Sequence, residues 1–403
     1  MSLLSLFEII WIVLMLAEVL PFGAYLLYMR NIALHRPWNV KIDNNFEPYV
    51  SVLLPTYNEE SVIEKKLNNI VQSNYPLEKL EIVVVDSASN DGTFDMIRKW
   101  SKENPKVGIN MFRESSRRGM VHAENVGLDL AKYDIMVKTD ADCFWQKDSL
   151  RNALKYLSDS SVGAVAGLHD INSTKDGSAL KVEKKYRDYY AWLRVGESKI
   201  FGTVLYEGEL MAFKKDVIKK LGGFDQDIGG DDVPLALKLA QNHYRAISAS
   251  DAYFVEFVPF TWKTRFQQKI RRGKHVLEAL WKYRGTKMNG GVSNLFLPME
   301  TYIYTLNPLL FFALCAASVP LFFYYPVLLI ALLPIVLIKS IRELFTTHAT
   351  NSMIMTSAML SLVFGSRKHD VTWSKVDEIR SSEEQQRKKQ QHEEEAVAPI
   401  PES

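Results

Sequence analysis

Ile135-Met136-Val137-Lys138-Thr139-Asp140-Ala141-Asp142 is an apolar run that ends on two carboxylates spaced i, i+2. A buried strand of this kind presents hard oxygen ligands at one edge of a sheet. A hard cation held by one or two carboxylates usually completes its shell with substrate phosphates. The pair therefore points to Mg²⁺ or Mn²⁺ bridging a diphosphate. For an isolated Asp-x-Asp, a solvated turn after a strand is the plainer reading, so the flanking pattern has to decide.

On the N-terminal side, short apolar runs alternate with amphipathic stretches. Val50–Pro55 reads as a strand, Glu59–Val71 as a helix, and Leu80–Asp86 as a second strand that again closes on an aspartate. Gly92–Trp100 and Gly119–Ala131 come next as helices, with a strand over Val107–Phe112 between them. Alternation of this kind predicts an α/β domain with a Rossmann-like, mostly parallel sheet and ligands at the carboxyl ends of its strands. Three strands end there on polar strings: Thr56-Tyr57-Asn58-Glu59, Asp86-Ser87-Ala88-Ser89-Asn90-Asp91-Gly92, and the Asp140/Asp142 pair. No Gly-x-Gly-x-x-Gly or Walker sequence supplies a phosphate cradle, which leaves a metal bridge as the physical substitute.

The 403 residues carry a net charge of +2, which gives no reason to expect a nucleic-acid partner. Cys143 and Cys315 have neither metal nor disulfide spacing and fit a reduced compartment. Residues 1–30 read as a transmembrane helix, since Leu3–Met29 exceeds the ~20 apolar residues a crossing needs. No basic residue precedes that run, which argues against a signal peptide. Arg30, Arg36 and Lys41 place the polar middle of the chain in the cytoplasm by the positive-inside rule. Residues 301–342 read as two more transmembrane helices that turn at Tyr324-Tyr325-Pro326. Residues 345–366 read as an interfacial or third transmembrane helix, and 370–403 as a charged cytoplasmic tail, disordered or a solvated helix. The expected location is the cell membrane, multi-pass, with the catalytic domain (45–258) cytoplasmic.

The strings from Val52 to Glu59, from Val84 to Thr93 and from Thr139 to Asp142 resemble the membrane-bound family 2 glycosyltransferases of the GT-A fold. Two later strings narrow the resemblance to the cellulose, chitin and hyaluronan synthase-like group. Gly229-Gly230-Asp231-Asp232 is similar to that group's acidic motif, and Gln268-Lys269-Ile270-Arg271-Arg272 to its Gln-x-x-Arg-Trp motif. The latter lies in 259–300, which also reads as amphipathic helices on the membrane surface.

The resemblance implies an inverting, metal-dependent hexosyltransferase using a UDP- or GDP-sugar. Asp86 would accept hydrogen bonds from the base, and Thr56 and Glu59 would line base and ribose. Asp142 would hold the Mg²⁺ or Mn²⁺, with Asp140 on the ribose or in the metal shell. Asp232 would be the general base, with Asp231 beside it on the acceptor side and capping the helix that starts there. Arg271 would contact the diphosphate and Gln268 the acceptor end. The bland readings are an Asx-turn formed by Asp86 and Asp91 and a helix cap at Asp231 or Asp232.

Two departures stand out. Arg272 replaces the Trp that stacks on the acceptor sugar in processive synthases. Met120 replaces the Lys of a Gly-Lys-x-x-Ala-x-Asn stretch, with Asn125 kept and Arg118 near enough to supply charge. His122 reads as a helix-surface histidine. The expected acceptor is a lipid-linked saccharide or a growing polysaccharide, and membrane lipids are the remaining partners. The alternatives are a processive synthase, a polyprenyl-phosphate sugar synthase, or a non-catalytic module that retains the fold.

Overall fold

Val-rich alternation makes the centre of the molecule. In the computed structural model, which describes residues 3–170, 178–256, 261–285, 288 and 292–365, eight strands form one sheet. They are β1 (Val50–Thr56), β2 (Leu80–Asp86), β3 (Gly108–Arg113), β4 (Ile135–Thr139), β5 (Cys143–Trp145), β6 (Val162–His169), β7 (Leu210–Lys214) and β8 (Arg245–Glu256). Side chains alternate across the sheet with the period of two that strand geometry imposes. Val52, Leu54, Ile82 and Val84 enter the core on one face, and Leu53, Val83 and Val85 enter the core on the other.

The strand order is β3-β2-β1-β4-β7-β6-β8-β5. Expectation and structure part here: the sheet is mixed, with four parallel and three antiparallel pairings among the described residues. β7 runs antiparallel between β4 and β6. A strand buried on both faces is a continuous apolar run whichever way it points, so its direction was not legible.

The first eight helices are α1 (Leu3–His35), α2 (Ile63–Val71), α3 (Thr93–Glu103), α4 (Met120–Leu130), α5 (Ser149–Leu154), α6 (Ser178–Ile200), α7 (Lys215–Lys220) and α8 (Asp232–Gln241). The remaining five are α9 (Trp262–Lys282), α10 (Leu297–Thr301), α11 (Asn307–Tyr324), α12 (Leu333–Leu337) and α13 (Lys339–Phe364). α2 starts at Ile63 and not at Glu59, because the N–H groups of Glu59 and Glu60 bond instead to Thr93 Oγ1 (2.7 Å) and Asp91 Oδ2 (3.3 Å) of the neighbouring loop.

Among the described residues, two helical runs are long and apolar enough to cross a bilayer, Ser5–His35 and Asn294–Tyr324. The chain does break at Tyr325, but the return arm is a 3₁₀ turn (Pro326–Leu332) followed by the short α12. That helical run ends at Leu337, where Ile338 turns extended before α13, so the second crossing expected in 301–342 is not present as one regular long helix among the described residues. The stretch read as interfacial or a third crossing, 345–366, falls in α13 from Phe345 to its end. There Ile354, Met355 and Ala358 are buried, Met355 and Ala358 in a cluster with Leu277 of α9. The charged tail, 370–403, lies outside the described residues.

Candidate active site

The loops after β1, β2 and β4 meet at one end of the parallel half of the sheet. Register brings Thr56 opposite Asp86, and Asp86 opposite Arg113. The first two loops are stitched together: Asn58 N donates to Ser89 Oγ (2.9 Å) and Asn90 N to Asn58 Oδ1 (3.0 Å). Asn58 has φ 56°, a left-handed conformation that asparagine tolerates. Beside these loops lies a cavity of about 90 Å³ lined by Thr56, Tyr57, Glu59, Ser87, Arg117, Met120, Asp140 and Asp142, among others. Arg117 lies 3.8 Å over the Tyr57 ring.

Asp86 does not line that cavity. It is fully buried, accepts from Ser89 Oγ (2.5 Å), Ser89 N (3.1 Å) and Thr56 Oγ1 (3.3 Å), and pairs with Arg113 at 3.3 Å. Asp91 closes the Asx-turn, its Oδ1 accepting from Thr93 N at 3.0 Å, while Asp86 bonds three residues on and adjoins the cavity through Thr56 and Ser87. Asn125 is also committed elsewhere: its amide bonds both Phe224 N (2.9 Å) and Phe224 O (3.0 Å), tying α4 to the loop after α7. His122 Nδ1 pairs with Glu114 at 2.5 Å, and Glu114 in turn accepts from Ser87 Oγ at 2.6 Å.

The Asp140-Ala141-Asp142 loop is held at both ends by one buried lysine. Lys66 Nζ of α2 donates to Thr139 Oγ1 (2.8 Å) and to Cys143 O (2.5 Å), and sits 4.4 Å over the Trp145 ring. Burial lowers the Lys66 ammonium to about 8, against the pull of nearby acidic groups. Among the described residues, no group of three or more His, Cys, Asp or Glu side chains forms a metal cage. Two carboxylates at a cavity rim fit a hard cation that takes its remaining ligands from a diphosphate.

A larger cavity, about 260 Å³, shares Met120 and Asp140 with the first. Asp231 and Asp232 line it, as do Lys138, Glu207, Glu209, Arg271 and Arg272. Asp232 begins α8 and its Oδ1 accepts from Val233 N at 2.7 Å. Burial, with the charges of Asp231 and Glu209 beside it, raises its carboxyl to about 7. Asp231 occupies the cap position but its side chain makes no capping bond. It pairs with Lys138 at 2.9 Å, which, against the opposing effect of burial, holds the Asp231 carboxyl below its usual range. The expectation of Asp231 as a side-chain cap is thus corrected: a buried cation outcompetes the helix N–H groups for it.

Arg272 Nη2 lies 2.8 Å from Glu256 and 3.4 Å from Glu209. Where the family pattern has an indole, this chain has an ion pair. Arg271 lines the large cavity; Gln268, one turn earlier, lines neither.

Sequence reading missed α6 entirely. Glu183, Tyr186, Arg187, Tyr190, Arg194 and Glu197 recur on one of its faces at helical spacing, and Tyr186, Arg187, Tyr190 and Arg194 wall the cavity. Arg187 pairs with Glu183 (2.9 Å) and with Glu207. It also missed His275 of α9, which lies against Gly229 and Gly230 just before Asp231. At its far end the cavity is lined by Phe22 of α1, Asn307 and Pro308 of α11, and His348, Asn351, Ile354 and Met355 of α13.

Similarity to known proteins agrees with this geometry. The pattern of glycosyl transferase family 2 matches residues 51–222, and that of glycosyl transferase family group 2 matches residues 139–365. The second covers more than half of the chain, which belongs to the family 2 glycosyltransferases. It is 29% identical over 306 residues to the probable glycosyltransferase YdaM of Bacillus subtilis, covering 73% of this chain and 71% of that protein. It is 27% identical over 237 residues to the poly-β-1,6-N-acetyl-D-glucosamine synthase of Staphylococcus aureus, a match spanning 58% of this chain and 56% of the synthase. A solved structure, the mannosyltransferase PcManGT from Pyrobaculum calidifontis in complex with GDP-Man and Mn²⁺, is 36% identical. It superposes with a TM-score of 0.76 over 89% of this chain and 99% of its own. The fold is GT-A and the enzyme is a glycosyltransferase with a sugar-nucleotide donor.

Proposed function

We propose that this enzyme transfers a hexose, with inversion, from a nucleoside-diphosphate sugar to a lipid-linked saccharide at the cytoplasmic face of the membrane. The observation that carries the reading is the wall that the two cavities share. Asp140 lines both, Asp142 faces the smaller, Asp232 the larger, and the larger continues to the apolar helices α1 and α11. The donor occupies the smaller cavity, with Thr56, Glu59 and Tyr57 against its nucleoside. GDP-mannose is the first donor to test, because PcManGT holds it at 36% identity.

Asp142, with Asp140, would hold Mg²⁺ or Mn²⁺, which when bound would supply Lewis-acid stabilisation of the diphosphate leaving group. Asp232 takes the proton from the acceptor hydroxyl as the new bond to the anomeric carbon forms and the bond to the diphosphate oxygen breaks. A hydroxyl needs such a base, whereas a phosphate acceptor already carries its charge, which a carboxylate at Asp232 would repel. That favours a saccharide over a bare polyprenyl phosphate. Arg271 contacts the diphosphate, Asp231 and Arg272 line the larger cavity on the acceptor side, and Gln268, outside both linings, is assigned to the acceptor end by the resemblance alone.

The test is to incubate membranes containing the enzyme with labelled GDP- and UDP-sugars and Mn²⁺, then partition the product. Label in the organic phase that mild acid releases as an oligosaccharide supports the reading. A released monosaccharide means a polyprenyl-phosphate acceptor, and a water-soluble or insoluble polymer a processive synthase. Asp142→Ala is expected to abolish metal-dependent donor binding and all transfer. If no donor is consumed and Asp142→Ala changes nothing, the protein is a module that binds without catalysing.

A further inference from the structure

Lys138 neither holds the donor nor moves a proton in this reaction, yet it stands at its centre. Its side chain is 2% exposed, and Nζ lies 2.9 Å from Asp231, 3.0 Å from Asp140 and 3.4 Å from Glu124. Asp140 belongs to the donor side, and Asp231 directly precedes the proposed base. Resting on the proposed function, we infer that Lys138 is a positioning residue for the transfer: one buried ammonium fixes the donor-side and acceptor-side carboxylates to a common point, supplying from β4 the charge that the family pattern places at position 120.

Three observations support this. Burial of a cation is costly and is tolerated only with close opposite charges, and here three carboxylates converge on one. Gly208, in the loop before β7, lets the backbone come against that pair; a Cβ there would lie 3.1 Å from Asp231 Oδ2 and 3.2 Å from Lys138 Nζ. Met120 lines both cavities, as Asp140 does, and Glu124 lies one helical turn after it on α4. A lysine at 120 would therefore stand at i, i+4 to Glu124 and within reach of Asp140.

A residue that merely filled the core would show itself in stability alone. The proposal makes a different demand, which Lys138→Met and the exchange Lys138→Met/Met120→Lys test on the full-length enzyme. The measurements are thermal midpoint without metal, Mn²⁺ affinity without donor, and kcat and donor KM. Lys138→Met should lower kcat by more than an order of magnitude with a smaller change in KM. It should bind Mn²⁺ more tightly, because the cation competing for Asp140 is gone. The exchange variant should recover most of kcat and return Mn²⁺ affinity toward the parent's.

Parent-like turnover in Lys138→Met overturns the inference, as does unchanged or weaker Mn²⁺ affinity in a folded protein. If Lys138→Met does not fold, the exchange variant decides: a folded, active protein supports the inference, and a folded but inactive or an unfolded one overturns it. Should the parent transfer no sugar at all, the functional reading fails, while the Mn²⁺ titration still reports whether Lys138 and Asp140 are coupled.

Discussion

Asp232 concentrates the chemistry at the residue scale. A carboxyl raised to about 7 is a far better proton acceptor near neutrality than one titrating at ~4, while still ionised when the pH is a little higher. The base works as carboxylate, so kcat/KM should fall as pH drops through 7 and level off above it, with metal saturation checked at each pH. Asp232→Asn keeps the shape and loses the proton acceptor. Turnover should drop by ~10²–10⁴-fold, with donor affinity retained and the limb near pH 7 abolished. A variant that lost affinity and turnover in parallel would point to a binding role instead. Raising this pKa also costs stability: the protonated carboxyl favours the fold at acid pH, and that contribution is lost as pH rises through 7. The site is thus held against its own electrostatics by the surrounding core.

At the scale of elements, legibility tracked the burial pattern. β1, β2 and β4 were readable because Val and Leu alternate between two core faces and each strand stops at a polar string. The Asp140/Asp142 pair and Asp232 were legible for the same reason, as polar residues closing or opening regular elements. What stayed hidden was contributed by long-range pairing. α6, which the sequence reading missed, carries Glu183, Arg187, Arg194 and Glu197, and all four are ion-paired inside the protein. Lys138, quoted within the apolar run of β4 and given no role, is the partner of three carboxylates. Asp86 and Asn125, read as nucleotide ligands, also hold loop and helix contacts that the sequence did not announce. α6 also shows how tightly the helices meet: a Cβ on Gly196 would lie 2.5 Å from the backbone oxygen of Met29 in α1. Since the obstacle is main chain, Gly196→Ala must push α1 and α6 apart. Overpacking of this kind costs ~1–3 kcal/mol, more than the ~1 kcal/mol that alanine returns in helix propensity. A lower thermal midpoint in detergent, with Mn²⁺ binding retained, is the expected result; a higher midpoint would show that the helices had room.

For the whole molecule, the cavity arrangement separates what the catalytic domain does alone from what it does with its helices. The described lining of the smaller cavity falls entirely between Pro55 and Asp142, whereas the larger needs α1, α6, α9, α11 and α13 together. α9 is the link: it carries Arg271, Arg272 and His275 into the large cavity, and Gly273 between them faces α13. A Cβ on Gly273 would meet Met355 Sδ at 3.2 Å and Ala358 Cβ at 3.3 Å. A methyl group could be absorbed by a flexible methionine, but a leucine could not be. Gly273→Leu should therefore displace α13 from α9 and shift the wall formed by His348, Asn351 and Met355, leaving the Asp140/Asp142 loop in place. The expected outcome is near-parental affinity for Mn²⁺ and nucleotide with transfer to the lipid-linked acceptor reduced at least several-fold, and with the acceptor KM raised more than the donor KM. Equal loss on both sides would mean that the cavities do not act as separate donor and acceptor compartments. Loss of donor binding alone would mean that the sugar nucleotide, not the acceptor, depends on the wall that α13 forms, reversing the assignment of the two cavities.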